Sequence, residues 1–191
     1  TLTLSRLDYN GAATGFDRLN WAKAFDLDED GQYDDVLVPG AGLSIDFASS
    51  LQFALSGTAS ATLAADPVTV TLSNTSFSLT RQAVDVDADG GGAADLIGAT
   101  LDSLAITLNG VAVDVDGVAT LNLSGSIALA RVTAAGGTAA RYTALKMGTM
   151  TGTGTLDGAI DIDLTGTLTL SRLDYNGAAT GFDRLNWAKA F

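Results

Sequence analysis

The sequence predicts an all-β protein, an antiparallel meander of many short strands, and three observations predict it. Apolar residues alternate with small or polar ones through most of the chain, the period of a strand with one buried face. Threonine, valine and isoleucine carry much of that pattern, as strands prefer. Asn-Gly and Asp-Gly pairs punctuate it, and these mark two-residue turns whose central residues need positive φ. Sustained helical periodicity is missing. The strands are expected to make an elongated two-layer or barrel-like body. A β-solenoid is the alternative, and the tight turns argue against it, because parallel strands need longer connections.

Taken in order, Leu2-Thr3-Leu4-Ser5-Arg6 opens the chain as an apolar-x-Leu-x-Arg fragment that returns at Arg81, Arg131 and Arg172. It reads as a strand ending in a solvated arginine. After an Asn10-Gly11 turn, Leu19, Trp21 and Phe25 fit a strand face, although Ala22, Lys23 and Ala24 would also suit a short helix; a strand is the expectation over 16–25. Alternation resumes at Leu43, Ile45 and Phe47, at Val68, Val70 and Leu72, and at Leu104, Ile106 and Leu108. Hairpin turns are expected at Asn109-Gly110, Asp116-Gly117, Asp157-Gly158 and Asn176-Gly177. Weaker ones are expected at Ser56-Gly57, Ser124-Gly125 and Thr165-Gly166. Gly136, Gly137, Gly148, Gly152 and Gly154 indicate bulges or close backbone approach. Tyr9, Trp21, Tyr175 and Trp187 are expected in the core, the other use of such side chains being to stack on sugars.

Residues 167–191 repeat residues 1–25 without a change, so a copy begins at Thr167 that matches the one at Thr1. Cores tolerate wide substitution, so folding alone does not demand such identity. The identity reads as the period of a tandem array, with 1–166 as one full repeat unit and 167–191 as the start of the next, an engineered overlap being the competing account. The duplicated stretch then forms the joint between units. The N-terminus lacks the basic-then-apolar layout of a secretory signal and begins in mid-strand, as a fragment would.

Cysteine and histidine are both absent, which removes disulfides, thiolate metal sites, the commonest general base and the usual zinc ligand. An enzyme is not expected; neither a P-loop, a dinucleotide fingerprint nor a G-x-S-x-G elbow occurs. The net charge of −12 repels nucleic acid and anionic lipid and favours cations or basic surfaces as partners. No run of about 18 apolar residues exists, so no helical membrane span is expected. Membrane barrels need strands of about 9 to 11 residues with aromatic girdles, and the segments here read as shorter.

The acids cluster. Asp26-Leu27-Asp28-Glu29-Asp30-Gly31-Gln32-Tyr33-Asp34 spells D-x-D-x-D-G-x-x-D, in which alternate carboxylates of a tight loop converge on one centre and glycine permits the turn. The expected calcium ligands are Asp26, Asp28, Asp30, the Gln32 carbonyl and Asp34. Leu37 stands where an EF-hand carries its bidentate Glu, so the loop is not an EF-hand. A second loop offers Asp85, Asp87 and Asp89, with Asp95 as a late fourth ligand. The pairs Asp114 with Asp116 and Asp161 with Asp163 read as solvated strand faces.

The first loop, with the small-residue run Pro39-Gly40-Ala41-Gly42 beyond it, resembles the calcium loops of integrin-type FG-GAP repeats. With the Leu-[Ser/Thr]-Gly-[Ser/Thr] fragments and Arg141-Tyr142-Thr143-Ala144-Leu145-Lys146, the chain resembles a repeat of the giant tandem-repeat surface proteins of bacteria, adhesin-like or filament-forming. That resemblance implies an extracellular or cell-surface, non-enzymatic protein, and the 25-residue identity points to a structural repeat whose partners are copies of itself. The alternative it leaves is an adhesin module that binds glycans or a protein through its calcium loops.

Overall fold

The computed structural model describes residues 1–116, 118–156 and 164–191. Its strands are β1 (Leu2–Tyr9), β2 (Leu37–Gly40), β3 (Leu43–Ile45), β4 (Leu51–Ala65), β5 (Val68–Val86), β6 (Leu96–Val115), β7 (Ala119–Thr133), β8 (Tyr142–Met147), β9 (Met150–Leu156), β10 (Leu164–Leu170) and β11 (Leu173–Ala178). Nine of them make one antiparallel sheet, and β2 with β3 makes a small separate hairpin. Strands β8 and β9 lie end to end along β7, and β11 and β10 lie end to end along them in turn. Six chain crossings therefore separate nothing but neighbours, from β1 through β4, β5, β6 and β7 to β8–β9 and β10–β11. The predicted antiparallel meander is what forms. Its pairs are antiparallel, unlike those of a β-solenoid, and its edges at β1 and β10–β11 leave it open rather than closed as a barrel. Among the described residues no helix is long and apolar enough to cross a membrane.

The alternation explains the two faces. The register sets Leu7, Leu55, Leu79, Leu104, Leu129, Leu145 and Tyr175 side by side across seven strands. The neighbouring row carries Leu4, Phe77, Ile106, Ile127, Met147 and Leu173 on the same face. On the other face the rows are small, for example Ser56, Ser78, Ala105 and Ala128. Cross-strand apolar pairs of this kind contribute roughly 0.2–1 kcal/mol each. Much of the sheet nevertheless faces solvent: the accessible surface is 12226 Å², against about 8,500 Å² for a compact monomer of this mass.

Strands are longer than the turn signals predicted, up to the 20 residues of β6. Asn109-Gly110 lies inside β6, Ser56-Gly57 inside β4, Ser124-Gly125 inside β7, Thr165-Gly166 inside β10 and Asn176-Gly177 inside β11. The reason is that a positive φ serves a bulge as well as a hairpin. Gly110, at φ 81°, is the extra residue where the β6–β7 register steps between Asn109 and Val111. Gly57 answers a different need, since a Cβ there would stand 2.2 Å from the Thr3 carbonyl oxygen, beside the step between Leu4 and Arg6. Further interruptions fall between Ala59 and Ala61 of β4 and between β8 and β9, so a crease crosses the middle of the sheet. Gly117 and residues 157–163, with the turns and acids expected there, lie outside the described residues.

The segment 16–25 is not a strand. It is a loop with one 3-10 turn, Trp21–Lys23, because a side chain replaces the ladder as its anchor. The buried Asn10 amide donates to the carbonyls of Leu19 (3.0 Å) and Ala48 (3.2 Å), and its oxygen accepts the Trp21 indole N–H at 3.1 Å. The second copy repeats the device: Asn176 donates to Leu185 at 2.9 Å and accepts from Trp187 at 3.1 Å. Tyr9 and Tyr175, expected in the core, are 70% and 58% exposed. Arg81 pairs with Asp102 on the adjacent strand, while Arg6 and Arg172 pair with Asp8 and Asp174; the acidic loops take none of these three. Such surface pairs contribute at most about 1 kcal/mol.

The most buried cluster sits at one end of the sheet. Val86, Ala99, Val132 and Tyr142 come from β5 to β8, and the second copy of the duplicated segment supplies Leu185 and Ala190.

Candidate metal centre

Both acidic loops fold into the same device, built from backbone hydrogen bonds. In the first, the Asp35 N–H donates to the Phe25 carbonyl, closing the loop at its base. The Asp35 carboxylate then accepts the N–H groups of Leu27 (2.5 Å) and Asp28 (3.1 Å). Asp26 accepts from Asp30 and Gly31, both at 3.1 Å. In the second loop the Asp95 N–H donates to the Val86 carbonyl, and its carboxylate accepts Ala88 (2.7 Å) and Asp89 (3.1 Å). Asp87 accepts from Gly90 and Gly92, both at 2.7 Å. Position by position, Asp26, Asp28 and Asp35 match Asp87, Asp89 and Asp95.

The carboxylates of each trio offer oxygens within 4.8 Å of one another. The converging carboxylates differ from the expected ligand sets in detail. Asp26 and Asp28 converge as expected, but Asp35 takes the place given to Asp34, which is exposed. Asp30 is not among the converging carboxylates; its oxygens accept the Gln32 backbone (2.8 Å) and side-chain (3.0 Å) N–H groups, bonds that leave the Gln32 carbonyl uninvolved. Asp87, Asp89 and Asp95 converge, whereas Asp85 turns away to accept the Gly98 N–H at 2.7 Å. A sequence signal for Asp35 existed: it stands directly before Val36-Leu37, as Asp95 stands directly before Leu96-Ile97. Asp114, near the end of β6, and Asp116, directly after it, join neither trio.

Three carboxylates at this spacing repel one another by about 3–4 kcal/mol per pair at an effective dielectric near 20. Converging N–H groups offset part of that. They hold the Asp87 carboxyl below the usual carboxylate range, the Gly92 N–H most strongly, against a smaller opposing effect of desolvation. All-oxygen, anionic and partly exposed, each trio has the donor chemistry of a hard cation such as calcium, with water completing a shell of six to eight. No family model matches the chain, and neither a curated protein nor a solved structure matches it.

Calcium at tenfold above its dissociation constant stabilises a fold by about 1.4 kcal/mol per site. For a chain of this size that is a rise in Tm of roughly 3–6 °C per site. Asp35→Asn, which keeps an acceptor for the loop N–H groups, is expected to remove the first loop's share of that rise, and Asp34→Asn to leave it intact. Thermal melts with calcium and with chelator check both.

Proposed function

We propose that the chain is a structural tandem-repeat unit of an extracellular filament, stalk or surface layer, with calcium ordering its acidic loops. One observation carries this reading: the two identical copies of the 25-residue segment occupy opposite edges of a single sheet. A sheet with one sequence at both edges has the form of a repeating unit, and its partners are copies of itself. The absence of histidine and cysteine supports a non-enzymatic role. The excess of exposed surface over that of a compact monomer also favours a body that is covered by neighbours. Chains of one, two and three repeats, imaged by electron microscopy, test the reading. Length that grows in equal steps supports it, and compact particles of unchanged length overturn it.

A second reading has its own observation. Exposed Tyr9 overhangs a groove of about 560 Å³ lined by Phe53, Leu79, Arg81, Asp102 and Arg131, an aromatic and charged surface suited to glycans. Affinity for a glycan that Tyr9→Ala abolishes would favour the adhesin module over the filament.

A further inference from the structure

We infer that neighbouring repeats share one strand: the 25-residue segment that begins a unit also ends the sheet, and completes the core, of the unit before it. The inference rests on the tandem-repeat reading and specifies its joint.

Direction and register come first. The meander passes through an even number of strand spacings from β1 to β10–β11, so both copies run the same way. Across that span the row that holds Leu7 at one edge holds Tyr175 at the other, and Tyr175 is the copy of Tyr9. The offset is two residues, an even number, so the apolar face stays on the same side; an odd slip would have turned it over.

Hydrogen bonding is complementary as well. Antiparallel residues alternate between bonding one neighbour and pointing at the other. Asn10 donates to the Gln52 carbonyl, so Asn10 and Asp8 bond β4, and Tyr9 and Leu7 point to the open edge. Ala179 donates to the Arg141 carbonyl, so Gly177 and Tyr175 bond β8, and Asn176 and Asp174 point outward. The Gly148 N–H, bonded to Ser126, fixes the same alternation from the β7 side. Each copy thus uses the backbone groups that the other leaves free. One strand can satisfy both neighbours.

The side chains divide in the same way. Asn10 is 1% exposed, while its copy Asn176 lies in the open. Leu185 is 1% exposed inside the core cluster, while its copy Leu19 is 46% exposed. Phe182 lies under the Arg141 guanidinium, 4.3 Å from the ring centroid, while Phe16 is 76% exposed. The first copy packs with the unit that follows it, and the second with the unit that precedes it.

The test is amide hydrogen exchange, on this chain and on a two-unit chain made by appending residues 26–191 after Phe191. In the single-unit chain, Asp8 and Asn10 exchange slowly and Asp174 and Asn176 quickly, with Leu7 and Tyr9 quick and Tyr175 and Gly177 slow. In the two-unit chain the middle copy protects both sets, slowing Asp174 and Asn176 by about 100-fold or more. The alternate single-unit pattern stands as a check even where the longer chain does not fold, and its absence overturns the inference. Small-angle scattering separates the two readings. A rigid two-unit rod whose Asp174 and Asn176 remain fast overturns the shared strand and leaves the filament unit standing; two freely moving bodies overturn both.

Discussion

Leu185→Ala is expected to lower the unfolding free energy by about 2–4 kcal/mol, and Leu19→Ala by less than about 1 kcal/mol, although the two leucines sit in identical sequences. Leu185 is enclosed by the cluster of Val86, Ala99, Val132 and Tyr142, so truncation loses transfer free energy and leaves a cavity. Leu19 is about half exposed, at 46%, and lies outside the buried cluster, so its removal opens no enclosed space there. The midpoint of thermal unfolding is expected to fall by roughly 6–12 °C for the first substitution and by at most a few degrees for the second. Equal effects would mean that the second copy does not complete this core.

Asn10→Ala is expected to cost about 2–4 kcal/mol, and Asn176→Ala about 0.5–1.5 kcal/mol. The buried Asn10 side chain makes three part-buried hydrogen bonds, to two carbonyls and an indole N–H, and its truncation removes all three and empties an enclosed site. Around Asn176 the corresponding groups of Leu185 and Trp187 lose one partner each, and the asparagine itself faces solvent. Denaturant titration followed by tryptophan fluorescence checks the pair. A larger loss at Asn176 than at Asn10 would contradict the burial that distinguishes the copies.

The fold class was legible because alternation is a local property and the register preserves it: the leucines at 79 and 104 both face one way, as their neighbours' spacing implied. Element length was not legible, because Gly110 meets the same positive-φ requirement in a bulge that it would meet in a turn. The choice depends on which strand lies alongside, which the local sequence does not carry. Residues 16–25 went astray for a related reason. Their anchor is the Asn10 side chain, 9 and 11 residues away from its partners Leu19 and Trp21, and no periodicity records such a tether. In the acidic loops, spacing located Asp26, Asp28, Asp87 and Asp89 as members of the trios. Where spacing named Asp34, it is Asp35 that converges in the first loop; the two are adjacent, and the backbone bond from Asp35 to Phe25 distinguishes them.

The crease has a consequence for what the sheet's edges accept. A flat edge strand is a template for any extended chain, and folded proteins blunt it with charges, prolines or bulges. Here β1 carries its interruption at Ser5, and the second copy breaks at the same place, between Leu170 and Leu173. A passing strand without a matching interruption pairs over only half the length before its residues fall out of step. The bulge therefore acts as a filter on partners, admitting a strand that bends where this one bends and turning away the generic β-segments on which aggregation depends.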